Sequence, residues 1–461
     1  MKVSSINPYT EKINTSYQFI TDNEISIRID KAHSLFLLWR EKDFNYKNNL
    51  LKQLIQTLAS NINKYAILIT NEMGKPIAES IAEIKKCILL CNYYLENSER
   101  YLKSTFIDLD TQIAEIKNEP LGVLLGIMPW NFPFWQVFRF SIPSIMAGNS
   151  VMIKHAPNTF GCGELISEIF VASGYPKYLF TSLIINHDQV ESIIANKKIQ
   201  AISLTGSDKA GSAVGKLTGK YIKKSLFELG GSDPFIVFPD ANVKLAVQDA
   251  ISAKFLNAGQ SCISPKRFFI HENISNHFID NMIKKLRLLK IGNPENIETD
   301  IGPLSKKEFV DKINDQIDKS INLGAKIIYR DTSTFDSGYF MSPIIIEIKN
   351  LLVPIFQEEV FGPVVSIYKF SNNDNILDLA NDTDFGLGAS LWTNDKQIIN
   401  KFKNNINSGA LFINGMTKSD PRIPFGGIKK SGYGRELSID GIKEFVNVKT
   451  IVMNKKEVDN V

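Results

Sequence analysis

An α/β fold with mainly parallel sheets is what this sequence of 461 residues predicts, and three features carry the prediction. Helix formers with apolar residues three and four apart fill the stretch from Ile25 to Leu102, as at Leu50, Leu51, Leu54, Ile55 and Leu58. From Leu121 onward, short apolar runs ending in Gly or Pro alternate with helical stretches, the texture of βα units. A second stretch of the same kind runs from Gly259 to about Asn414, so two α/β domains are expected.

Taken in order, strands are expected at residues 121–128, 150–153, 199–204, 226–229 and 234–238, then at 267–270, 364–370 and 410–414. Each is a short apolar run bounded by turn residues. Residues 106–119 and 444–461 alternate apolar and polar side chains with no obvious sheet to join, which points to strands that pair between subunits. The sequence has no internal repeat, low-complexity tract or long flexible linker.

Composition narrows the function classes. Hydrophobic residues make up 44% and charged residues 22%, an ordinary globular balance. The 53 basic and 49 acidic residues are scattered, so the net charge of +4 leaves no footprint for nucleic acid. Residues 1–10 have neither signal-peptide nor transit-peptide character, and no apolar run is long enough to span a bilayer; a cytoplasmic protein with no membrane partner is expected. Four cysteines are too few for a disulfide framework.

One cysteine stands apart. Asn257-Ala258-Gly259-Gln260-Ser261-Cys262 is a glycine-bearing loop that delivers Cys262 just before an expected strand. By itself a lone cysteine is most often a small buried hydrophobe. Glu228 changes the balance, because it ends an apolar strand before Gly230-Gly231 and so falls at a sheet edge, where sites form. Cys87 and Cys91 share a helix face without partner ligands and read as packing, as does Cys162; no metal site is expected. His155 reads as a structural histidine, and no histidine motif accompanies Cys262.

The Glu228 and Cys262 segments together resemble the paired signatures of the aldehyde dehydrogenase superfamily. Asn7-Pro8 with Glu11, Glu72-Met73-Gly74-Lys75-Pro76, Pro129-Trp130-Asn131-Phe132-Pro133, Leu204-Thr205-Gly206-Ser207, Glu358 to Pro363 and Pro424-Phe425-Gly426-Gly427 follow in family order. The resemblance implies a Rossmann-type NAD(P)-binding domain over residues 1–105 and 120–229, a catalytic domain over 230–430, and a small β arm for oligomerisation from 106–119 and 444–461. It further implies a homodimer or homotetramer.

It also implies a chemistry. Cys262 would attack an aldehyde, with the oxyanion held by the Asn131 amide and the Cys262 N–H, and Glu228 would activate the water that hydrolyses the thioester. Trp130, Lys154, Gly206, Ser207, Gly211, Glu359 and Phe361 match cofactor contacts. Three residues after Lys154, where strongly NAD-selective relatives often carry a glutamate, stands Pro157, so use of both NAD and NADP is expected.

For the substrate, Arg139 is the single charged side chain in the apolar stretch 134–146. Either an internal carboxylate or the carboxylate of a substrate would satisfy it. Its position is similar to that of a substrate arginine in succinate-semialdehyde dehydrogenases, which makes succinate semialdehyde the expected substrate. A second substrate arginine of part of that group is here Leu256, and Ser419 or Arg422, just before Pro424, is a candidate to compensate. A broad-specificity aldehyde dehydrogenase, a CoA-acylating enzyme and a catalytically silent binding protein are the alternatives; Glu228 argues against the second, and the retained Cys262 and Glu228 against the third.

Overall fold

The computed structural model describes residues 2–455. A hairpin of β1 (Lys2–Ile6) and β2 (Ile13–Gln18) opens the chain, followed by four helices, α1 (Asp22–Trp39), α2 (Phe44–Ser60), α3 (Ile62–Met73) and α4 (Ile77–Leu102). Thr21 and Glu24 close a capping box on α1. Leu50, Leu51, Leu54 and Leu58 form the buried face of α2, as the spacing predicts.

Next come β3 (Thr105–Leu109) and β4 (Gln112–Pro120), then β5 (Val123–Ile127), α5 (Trp135–Met146), β6 (Ser150–Lys154), α6 (Phe160–Ala172), β7 (Phe180–Ser182), α7 (Val190–Ala195), β8 (Ile199–Thr205), α8 (Asp208–Lys220) and β9 (Lys224–Glu228). Five of these strands lie parallel in the order β9-β8-β5-β6-β7. The chain direction across the sheet reverses between β5 and β8, the switch point beside which open α/β sheets bind ligands at their carboxyl ends.

A second sheet follows, from β10 (Pro234–Val237), α9 (Val243–Phe255), β11 (Arg267–His271), α10 (Glu272–Leu286), α11 (Lys307–Asn322), β12 (Lys326–Arg330), β13 (Ile344–Ile348), β14 (Val364–Phe370), β15 (Gly388–Trp392) and β16 (Ala410–Ile413). Its order is β12-β13-β14-β11-β10-β15-β16, antiparallel only at β12. Residues 431–443, left unassigned from sequence, return to the first sheet: β17 (Gly432–Tyr433) pairs with β9, and the helix Ser438–Glu444 packs on α4 and α5.

The expectation that 106–119 and 444–461 lack a sheet of their own is corrected. β18 (Val446–Asn454) pairs antiparallel with β4, and β3 with β4, giving a three-stranded sheet inside one chain. The turn at Asp110, with φ of 48°, splits the first segment into two strands. Positions 456–461 lie outside the described residues.

Candidate active site

Two sets of loops face each other across a cleft of about 830 Å³. One set follows the carboxyl ends of the first sheet: Pro129, Trp130 and Asn131 after β5, Thr205, Gly206 and Ser207 at the end of β8, and Leu229 and Gly230 after β9. The other precedes strands of the second sheet: Cys262 before β11, and Glu359 and Phe361 before β14. Because β11 and β14 are hydrogen-bonded neighbours, their entry loops adjoin. The α11 face closes the cleft with Phe309, Lys312, Ile313 and Gln316, none of which the motif reading found.

The Cys262 loop is strained and tied down. Asn257, Ala258 and Gly259 are consecutive left-handed residues, with φ of 54°, 52° and 79°. A Cβ at Gly259 would stand 2.2 Å from the Gly362 carbonyl oxygen, so only glycine lets the two entry loops touch. The Asn257 amide donates to the carbonyls of Asn131 (2.8 Å) and Gln260 (3.2 Å), and the Asn131 amide donates to Gln260 (3.1 Å). These bonds tie the Asn131 loop of the first sheet to the Cys262 loop of the second.

Placement of α5 depends on α4. Glu83 accepts the Phe134 and Trp135 N–H groups at 2.8 and 2.9 Å, satisfying the start of α5, and is paired with buried Lys75. A carboxylate on a helix N-terminus contributes up to about 2 kcal/mol when partly buried. Gln136, at the edge of the cleft, is fixed in this way.

Cys262 borders the cleft and is the one cysteine of the four that is not fully buried. Burial pushes its thiol up to about 11, while Lys266 and then Arg139 pull it down, and Glu359 and Glu228 oppose them. Glu228, 2% exposed, stands behind the cleft lining, with both carboxyl oxygens unpartnered among the described residues. Burial raises its pKa well above the carboxylate range; Arg139 opposes the shift and Glu436 adds to it.

Arg139 corrects one expectation. Its guanidinium is not free for a substrate: it is 2% exposed, ion-paired with buried Glu436, set 4.6 Å from the Phe425 ring centre and absent from the cleft lining. The internal carboxylate left unidentified in sequence is Glu436. Ser419 also lies off the cleft lining and accepts a 2.6 Å hydrogen bond from Lys86 Nζ. Lys86 sits 4.3 Å from the Trp135 ring centre and has no carboxylate within ion-pair distance among the described residues.

Of the expected cofactor contacts, Trp130, Gly206, Ser207, Glu359 and Phe361 line the cleft. Gly211 does not; it is buried in α8, where a Cβ would stand 2.5 Å from Leu229, so its role is close packing. Lys154 ends β6 just outside the lining, buried, with its pKa lowered to about 8 by that burial. Ser207 caps α8 through Ala210 N, and Trp130 is packed between Phe309 and Phe361 at 4.9 and 5.8 Å. His155 is buried and satisfied by the Pro133 carbonyl and Thr159.

The aldehyde dehydrogenase family model matches residues 1–451. The chain belongs to the aldehyde dehydrogenase family. Among similar members, a probable succinate-semialdehyde dehydrogenase [NADP(+)] of Synechocystis is 40% identical over 98% of this chain and 99% of its own. An Escherichia coli succinate semialdehyde dehydrogenase [NAD(P)+] is 38% identical over 97% of each. The succinic semialdehyde dehydrogenase of Streptococcus pyogenes, solved with NADP+ as the cofactor, superposes with a TM-score of 0.95 at 33% identity, covering 98% of this chain and all of that one. No helix among the described residues is long and apolar enough to cross a membrane.

Proposed function

We propose that this family member oxidises succinate semialdehyde to succinate, using NADP+ or NAD+, through a thioester on Cys262. The observation that carries the reading is the position of Cys262: one wall of a cleft whose other wall is the switch point of a parallel sheet. Relatives named for this substrate match nearly the whole chain.

The residues present fit a dinucleotide. The α8 N-terminus offers N–H groups and a positive dipole end to a diphosphate at Gly206 and Ser207. Thr205 Oγ is buried without a partner, and the Lys154 ammonium has no carboxylate in ion-pair reach among the described residues. Lys154 would hold the adenosine ribose or its 2′-phosphate, Glu359 the nicotinamide ribose, and Trp130 and Phe361 the ring. When bound, the nicotinamide supplies the hydride acceptor.

The chain's own residues do the rest. The Cys262 thiolate adds to the aldehyde carbon, and the Asn131 amide with the Cys262 N–H receives the oxyanion, each such donor being worth about 3–4 kcal/mol. After hydride loss the acyl group remains on sulfur. Glu228 takes a proton from water, whose oxygen displaces the thiolate and yields the acid. Since Glu228 stands behind the lining, its side chain turns toward the thioester for this step.

The proposed setting is the cytoplasm. Self-association to a homodimer or homotetramer is proposed at the β18-β4-β3 sheet, where Phe106, Ile107, Val448 and Val452 are exposed. The substrate is tested by comparing kcat/KM for succinate semialdehyde and butanal with each dinucleotide. A preference of at least about tenfold for the semialdehyde is expected. Equal values would instead make this a broad-specificity aldehyde dehydrogenase.

A further inference from the structure

Lys266 belongs to none of the sequence motifs, yet it is the cation most closely bound to the Cys262 loop. It immediately precedes β11, and its side chain is fully buried. The ammonium donates to the Ser261 carbonyl at 2.8 Å and to the Cys262 carbonyl at 2.6 Å. Glu359 Oε1 lies 3.7 Å away and also accepts the Gly231 N–H at 3.0 Å.

Two backbone carbonyls need only hydrogen-bond donors, and a neutral side chain could supply those. A buried ammonium brings a full charge in addition, and burial makes that charge expensive unless something answers it. The charged and titratable groups around it are Glu359 in the loop before β14, Asp233 before β10, Lys254 on α9, and Cys262 itself. Arg139 on α5 and Glu228 at the end of β9 also act on the thiol. Lys254 Nζ is also buried without a partner among the described residues, but burial drives it toward the neutral amine, which leaves Lys266 as the cation that Glu359 offsets.

We propose that Lys266 is the positioning residue of the nucleophile: its hydrogen bonds fix the two peptide groups that flank Cys262, and its charge, offset by Glu359, favours the Cys262 thiolate. The nucleophile and the carboxylate at the ribose position of the cleft are then joined through one lysine. A ligand that draws Glu359 away leaves more of that charge acting on sulfur.

This rests on Cys262 being the nucleophile, and the test reads the thiol directly, without aldehyde or dinucleotide. Its failure therefore leaves the proposed oxidation untouched, and a failure of the oxidation leaves this result readable. The rate of Cys262 alkylation by iodoacetamide is measured against pH, with the site identified by peptide mass spectrometry; the other three cysteines are buried.

Lys266→Met moves the profile to higher pH and slows alkylation about tenfold at a fixed pH below the midpoint, as loss of a neighbouring cation requires. Glu359→Gln moves it to lower pH and speeds alkylation several-fold, about threefold or more. The double variant lies between the two single variants, because the two charges act on the thiol with opposite sign. A Lys266→Met rate lowered by one factor at every pH, with the midpoint unmoved, would reduce the lysine to a structural part. If that variant does not fold, Glu359→Gln decides alone: an unmoved or alkaline-shifted midpoint overturns the proposal.

Discussion

Arg139 and Glu436 form a buried ion pair directly behind the cleft that holds Cys262. Removing one partner strands the other charge away from water, which costs about 3–5 kcal/mol, whereas replacing both by apolar groups costs much less. Glu436→Gln and Arg139→Met are each expected to lower the apparent thermal midpoint, and Arg139→Met/Glu436→Leu to lower it by less than the two losses combined. Additive losses in the double variant would show that the pair is not coupled.

With Arg139 committed to Glu436, a substrate carboxylate bound beside Ser419 would meet Lys86, whose ammonium donates to Ser419 Oγ just off the cleft lining. Burial, with nearby Arg139 acting in the same direction, lowers its pKa to about 8, the sign of a cation without a close counter-charge. Lys86→Met should raise KM for succinate semialdehyde roughly ten- to hundredfold, the worth of a charged hydrogen bond. The kcat/KM for butanal should change by less than about twofold. Equal effects on both substrates would remove Lys86 from recognition.

The buried Glu228 carboxyl holds its proton well above the ordinary carboxylate range, so the fraction able to act as base grows as pH rises. Turnover limited by thioester hydrolysis should accordingly still be increasing with pH above the ordinary carboxylate range. Glu436 pushes Glu228 upward, so Glu436→Gln removes a repulsion and should shift the kcat profile to lower pH. A shift to higher pH, or none, would contradict this placement of charges.

Pro157 opens the turn after β6, next to Lys154. A glutamate there would repel a 2′-phosphate, so Pro157→Glu should reduce the ratio of kcat/KM with NADP+ to that with NAD+ by at least about tenfold. An unchanged ratio would place the 2′-phosphate elsewhere.

How far the sequence reached can be judged residue by residue. The β14 run Val364–Phe370 was legible to its ends because it is apolar and follows Gly362-Pro363. β7 (Phe180–Ser182), three residues long, was missed, and so were β12, β13 and β15. The cleft residues carried by motifs, Asn131, Cys262, Gly206, Ser207, Glu359 and Phe361, were legible because each motif is local. What escaped is what tertiary structure alone brings together: Glu436 onto Arg139, Lys86 onto Ser419, and Lys266 between Cys262 and Glu359. Gly211 misled because a glycine that admits Leu229 looks, in sequence, like one that admits a phosphate.

The account turns on Cys262 carrying the acyl group and Glu228 releasing it, and trapping that species tests both. Glu228→Gln, mixed with succinate semialdehyde and NADP+, should give a burst of reduced cofactor of about one equivalent and then stall. Intact and peptide mass spectrometry should find one succinyl group on Cys262, absent in Cys262→Ala. A folded Glu228→Gln protein that binds dinucleotide yet gives neither burst nor adduct, or an adduct on any other residue, would contradict it.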